Sequence, residues 1–134
     1  MGRDPREEGA ETVMALTPAA LLLVAIGGAI GSAARFAISV LALHALGAAF
    51  PWGTLAVNII GSAAIGVAAG SGMEGQLRLL VVTGFLGGFT TFSAFSLETA
   101  TLFERSPALA ALYVAASVGL GLAAFWVAWL LAKA

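Results

Sequence analysis

The stretch Gly84-Phe85-Leu86-Gly87-Gly88-Phe89-Thr90-Thr91-Phe92-Ser93-Ala94-Phe95-Ser96-Leu97-Glu98-Thr99 decides how this chain folds. It lies inside an apolar run from about Leu77 to Phe103, long enough to cross a hydrocarbon core roughly 30 Å thick. Its centre makes a poor continuous helix. Glycine costs a helix about 1 kcal/mol relative to alanine, and the threonines that follow lose rotamer freedom there. The pattern predicts a membrane helix broken near its middle. Backbone carbonyls freed by such a break must find partners, and a bound cation is one. Beyond the break, Phe92 and Phe95 share a face at i, i+3, with Ser96 and Thr99 beside them. Thr91 and Glu98, seven residues apart, share a different face.

Three more apolar runs flank this one: roughly Pro18 to Leu46, Trp52 to Ala69 and Pro107 to Ala132. Each reaches the roughly 18 residues that a span requires. Pro18 suits a helix start, and the stretch from Gly47 to Pro51 reads as a turn. Trp52, Trp126 and Trp129 lie near segment ends, where amphipathic rings favour the membrane interface. Four membrane-spanning helices follow, in an all-α integral membrane protein.

Composition agrees. Sixty per cent of the residues are hydrophobic, 10% are charged, and mean hydropathy is +1.02. A soluble domain averages about 45–50% apolar and about 25% charged. Between Thr12 and Gly72 the one formal charge is Arg35. A net charge of −1 offers no basic stripe for nucleic acid. The absence of cysteine excludes disulfides, thiolate metal sites and cysteine nucleophiles, and the single His44 cannot build a histidine cluster. No GxxxxGK[ST] run is present. The polar residues 1–16 read as a disordered tail, too acidic at the start for a secretory signal, with Met14 as an alternative start; residues 17–134 form the membrane domain.

Small residues recur at four-residue spacing: Gly27 and Gly31, Gly84 and Gly88, Ser62 and Gly66, Ser117 and Gly121. In lipid such positions let helix backbones approach closely. Two polar stripes accompany them, Thr54-Asn58-Ser62 on the second span and Tyr113-Ser117-Gly121 on the fourth. An asparagine amide in hydrocarbon is costly unless paired, so Asn58 serves either as glue between helices or as the lining of a polar path. Arg35 either concentrates anions at a vestibule or snorkels to the headgroups.

Charge gives the orientation little bias. With four spans, both termini and the loop near Gly70–Gln76 share a side carrying Arg3, Arg6, Arg78 and Lys133, of which a start at Met14 keeps two. The other side carries Arg105, and Arg35 if it lies near the end of the first span. Two against two leaves the positive-inside rule nothing to act on, so insertion both ways and an antiparallel dimer follow.

The donor set suits a particular solute. An aromatic ring carries its partial positive charge on its edge. Ring edges, an asparagine N–H and Ser/Thr hydroxyls form a lining of weak donors without a fixed full charge. A small hard anion needs its hydration shell replaced at short range, but not so firmly that it cannot leave.

Three blocks resemble the CrcB/Fluc family of small fluoride channels: Gly27-Gly-Ala-Ile-Gly-Ser-Ala-Ala-Arg35, Gly53-Thr-Leu-Ala-Val-Asn-Ile-Ile-Gly61 and the stretch from Gly84 to Glu98. The likeness runs from about Leu16 to the C-terminus. It implies an antiparallel, dual-topology homodimer in the cytoplasmic (inner) membrane, exporting fluoride passively and thereby lowering its toxicity. By that resemblance Asn58, with Thr54 one turn before it, Phe92, Phe95, Ser117 and Tyr113 line the fluoride pathway. Ser93, Ser96 and Glu98 form a polar track with Thr99 adjacent, and Arg35 lies near the aqueous entrance. The backbone carbonyls of Gly87 and Thr90 would hold a structural Na+ at the dimer axis. The stripe of donors motivates the expectation that Asn58→Asp or Phe92→Ile abolishes fluoride flux without unfolding the dimer.

The alternative is a small multidrug-resistance-type, proton-coupled exporter of the same size and dual topology. Such a protein wants a membrane-buried acid in its first span, where this chain has Arg35; the candidate here is Glu98, in the third. An enzyme would need a nucleophile and a base in reach of each other, and His44 has no paired acid nearby in sequence.

Overall fold

A computed structural model describes residue 2, residues 4–8 and residues 15–134. Of the expected tail, residues 5–8 make one helical turn, with the Arg6 N–H bonded to Asp4 Oδ1 at 2.9 Å; Met14 lies outside the described residues. The rest is helical. Four stretches are long and apolar enough to span a membrane: Pro18–Leu46, Trp52–Gly70, Gly75–Arg105 and Pro107–Lys133. They agree with the runs predicted from sequence to within a few residues at each end.

Helix α1 (Pro18–Leu46) opens with Pro18 at its first position and the Thr17 hydroxyl accepting the Ala20 N–H at 3.1 Å. It stops at Gly47, whose φ of 81° lies in the left-handed region. Helix α2 (Trp52–Gly70) follows after a short turn. The third span is the bent one. Its first half, α3, runs through Gly75–Arg78, a π-helical stretch Leu79–Leu86 and a final turn Gly87–Phe89. Thr90 and Thr91 are then extended, with ψ of 158° and 120°. Helix α4 (Phe92–Arg105) resumes, capped by the Thr91 hydroxyl, which accepts the Ala94 N–H at 3.2 Å. The break falls where the Gly-Gly-Phe-Thr-Thr run predicts it. The π-helical winding before it was not expected. A single residue, Ser106, both ends α4 and caps α5 (Pro107–Lys133), its hydroxyl accepting the Leu109 N–H at 3.3 Å.

The packing is inside-out relative to a soluble bundle. In α1 the buried residues are Gly27 and Gly31, while Leu21, Leu22, Ile26, Ile30 and Phe36 are exposed. Large apolar side chains therefore face lipid, and glycines mark where backbones meet. A Cβ on Gly27 would strike the Leu80 carbonyl, one on Gly31 the Phe85 carbonyl, and one on Gly88 the Gly28 carbonyl. The two glycine pairs read from the sequence thus dock α1 against α3. On the other side α2 packs along α5: a Cβ on Gly66 would strike the Phe125 carbonyl, and one on Gly121 would meet Ser62 Oγ at 3.6 Å. Two small cores result, Leu55-Leu102-Ala110-Tyr113 and Val57-Leu86-Phe89.

Candidate functional site: the broken helix and its polar partners

The break has backbone groups that no helix turn satisfies, and α2 supplies what they lack. Asn58 Nδ2 donates to the Thr91 carbonyl at 2.9 Å, and the Thr91 N–H donates to Asn58 Oδ1 at 2.8 Å. The amide pairs with the Thr91 backbone as one peptide pairs with another in a sheet. Of the two roles open from sequence, the structure therefore shows the structural one directly. The pairing engages one of the two Nδ2 hydrogens and leaves the second without a partner among the described residues.

Arg35 lies well inside α1 rather than at its end. Its Nε donates to the Gly88 carbonyl at 3.0 Å, where the Ser32 hydroxyl also points at 3.4 Å. The carbonyl freed at the break thus gives the guanidinium a partner within the protein, which neither reading from the sequence named.

Around the break the carbonyls divide into two sets. Leu86 accepts from the Thr90 N–H (3.0 Å) and hydroxyl (2.9 Å), Gly88 from Arg35 and Ser32, and Thr91 from Asn58. The carbonyls of Gly87, Phe89 and Thr90 accept no hydrogen bond from the described residues. No cluster of three acidic, histidine or cysteine side chains suited to a metal occurs among the described residues. An ion bound here would have to use the main chain, and hard cations take carbonyl oxygen.

One turn further on, three side chains meet. Thr54 Oγ1 donates to Glu98 Oε1 and Tyr113 Oη donates to Glu98 Oε2, both at 2.7 Å. Thr54 and Tyr113 are buried and Glu98 is half-buried. A carboxylate at membrane depth is costly without donors, and here each oxygen receives one. The Tyr113 ring is held by Phe95, with centroids 5.2 Å apart, and edge-on by Phe50 at 5.4 Å. Phe50, in the turn before α2, gave no signal in the sequence beyond its place near Trp52.

The remaining predicted residues divide. Phe92, 78% exposed, lies 5.5 Å from Phe95 by ring centroids. Ser93 and Ser96 are exposed on α4, and the Thr91 and Ser93 hydroxyls lie 3.3 Å apart. Ser96 and Thr99 donate to the carbonyls of Phe92 (3.0 Å) and Phe95 (2.7 Å), four residues back. Their protons are thus engaged within the helix until a rotation releases them. Ser117 lies apart from the Glu98 cluster. Its hydroxyl is buried with no partner among the described residues, beside a cleft of about 340 Å³ that it lines with Ser62 and Gly121. The stripes of α2 and α5 therefore face each other, one polar level at Glu98 and another at Ser62 and Ser117.

The sequence that builds this site can be matched to known proteins. The family described as "CrcB-like protein, Camphor Resistance (CrcB)" matches residues 22–129. The chain belongs to the CrcB-like family. Relatives agree over most of their length. The protein named "Fluoride-specific ion channel FluC" in Rhizobium etli is 58% identical over 109 residues, 77% of this chain and 87% of the relative. The one in Rhizobium johnstonii is 57% identical over 109 residues, again 77% and 87%. The one in Chelativorans sp. is 50% identical over 119 residues, 84% of this chain and 95% of the relative. The resemblance read from the three motif blocks is therefore right, and membership in this family replaces the drug-exporter alternative. A CrcB-like chain with four such helices is a multi-pass membrane protein.

Proposed function

We propose that this chain is a fluoride-selective channel that lets fluoride leave the cytoplasm passively across the inner membrane. The observation that carries the reading is its 50–58% identity to relatives named as fluoride-specific channels. The chemistry agrees. The second N–H of Asn58, the unpartnered Ser117 hydroxyl and the ring edges of Phe92 and Phe95 are weak donors in an apolar surround. Thr54, Tyr113, Glu98, Ser93, Ser96 and Thr99 complete the polar route in this reading. The membrane potential supplies the drive, about 2.3 kcal/mol per charge per 100 mV, so no catalytic step is required.

The working unit in this proposal is an antiparallel homodimer. Phe92, Ser93, Ser96 and Gly87 are exposed at the level of the break, and hydroxyls and a free carbonyl there are ill-suited to lipid. A second copy laid antiparallel covers them. The carbonyls of Gly87 and Thr90 from both copies then suit a structural Na+ between them, which offers the unaccepted oxygens a partner.

The test is efflux from liposomes loaded with fluoride or with chloride, started by valinomycin and read with ion-selective electrodes. Rapid fluoride loss without chloride loss is expected. Retention of both anions would refute the reading.

A further inference from the structure

A cleft of about 350 Å³ opens between the α1–α2 turn and the last two turns of α4. Its wall includes Phe50, Trp52 and Thr54 on one side and Glu98, Thr101 and Arg105 on the other. Two of its lining residues carry charge. Glu98 sits where Thr54 and Tyr113 hold its carboxylate, and Arg105 ends α4. Seven residues separate them, so they share a helix face about 10 Å apart along the axis. The Arg105 side chain is exposed and makes no hydrogen bond or ion pair with a described residue.

An anion entering this cleft meets an unfavourable field. Glu98 places carboxyl oxygens in its wall, and the C-terminal carbonyls of α4 add the negative end of a helix dipole. The Thr54 and Tyr113 hydroxyls already donate their hydrogen bonds to Glu98 and do not turn them to an incoming anion. We infer that Arg105 is the anion-collecting residue at the mouth of this cleft, balancing Glu98 so that a small hard anion can enter. The inference rests on the channel reading above and adds to it a named entrance and the charge that sets entry. Arg105 is thus a positioning charge for the permeating ion, acting through the field of the cleft rather than by contact in the narrow part.

Removing one charge about 10 Å away changes the local concentration of a monovalent anion by roughly 2-fold to 15-fold, for effective dielectric constants of about 80 down to about 20. The effect must fade with salt, because the Debye length falls from about 30 Å at 0.01 M to about 3 Å at 1 M. A residue serving only to satisfy the helix end or anchor in headgroups carries no such dependence in its flux.

The experiment uses the absence of cysteine from the whole chain. Arg105→Cys is labelled in detergent with either an ethylammonium or an ethylsulfonate methanethiosulfonate, then reconstituted in phosphatidylcholine vesicles beside wild type and Arg105→Gln. Fluoride efflux is read at low and at high concentration of an impermeant salt. At low salt the expected order is wild type and the cationic adduct fastest, Arg105→Gln slower by roughly 2-fold to 15-fold, and the anionic adduct slowest. At high salt the rates should converge. Equal rates for the two adducts, or a deficit unchanged by salt, would overturn the inference. Absence of fluoride efflux in wild type would instead refute the channel reading itself.

Discussion

Replacing Asn58 by alanine tests whether the α2 amide holds the third span in its broken form. The substitution deletes two hydrogen bonds, 2.9 Å to the Thr91 carbonyl and 2.8 Å from the Thr91 N–H. Neither Thr91 group has another backbone partner among the described residues. A buried polar group left unsatisfied costs roughly 1–3 kcal/mol, giving about 2–6 kcal/mol for the pair. Measured interhelical hydrogen bonds in membranes average only about 0.6 kcal/mol, because the unfolded chain in lipid finds partners too. The break lacks that latitude, since both ends of one peptide depend on one side chain, so about 2–4 kcal/mol is expected. Asn58→Asp should cost at least as much when ionised, because an oxygen would replace Nδ2 and face the Thr91 carbonyl. The structure thus revises the expectation that Asn58→Asp silences a well-folded dimer: lost flux should come with lost stability. The assay is equilibrium unfolding in mixed micelles, followed by tryptophan fluorescence, beside fluoride efflux of the same preparations. An Asn58→Ala protein within about 0.5 kcal/mol of wild type would refute the clamp.

Four further outcomes are expected. Gly31→Ala drives a Cβ into the Phe85 carbonyl, which a side-chain rotation cannot relieve, and should destabilise by about 3 kcal/mol or more. Gly28→Ala meets only the Gly84 carbonyl at 3.7 Å and should be tolerated; similar melting of the two variants would contradict the docking of α1 on α3. Tyr113→Phe and Thr54→Val should each cost about 1.5–3 kcal/mol by taking a donor from the Glu98 carboxylate. In a double-mutant cycle the two should be non-additive, and strict additivity would separate them. Phe92→Ile, at an exposed position, should leave unfolding within about 0.5 kcal/mol of wild type while fluoride efflux falls sharply; unchanged efflux would remove the ring from the pathway. Replacing Na+ by N-methylglucamine should lower the dimer fraction in micelles, by an amount that grows with the Na+ concentration removed. Side-chain mutation cannot test the proposed site, because the ligands proposed for it are main-chain carbonyls, and an unchanged dimer fraction would exclude the ion.

What could be read in advance follows from the range of each interaction. The four spans depend on local composition, so the start at Pro18 and the break at Thr90–Thr91 were legible from residue type, whereas the Thr17 and Ser106 caps were not singled out. The small-residue pairs were legible as docking surfaces, though not which helix each would meet. Partnerships between spans were not legible. That Asn58 pairs with Thr91, and Glu98 with both Thr54 and Tyr113, depends on the relative height of helices joined by turns of different length. Arg35 shows the limit most clearly. From sequence, a cation in a long apolar helix has two outlets, the headgroups or an aqueous mouth. The fold provides a third, the Gly88 carbonyl, which is free only because another segment is broken.

The break at Thr90–Thr91 supplies stray acceptors, and three elements answer them: Arg35 and Ser32 from α1, Asn58 from α2, and the Thr90 hydroxyl from the segment itself. If the break served only to bend the span, every carbonyl would be best satisfied within the chain. Those of Gly87, Phe89 and Thr90 accept no hydrogen bond from the described residues, although Arg35 lies close enough to reach the Gly88 carbonyl among them. The chain thus answers Gly88 and Thr91 and leaves three carbonyls beside them open. Substitution of Na+, rather than of any side chain, is therefore the direct test of the ion proposed above.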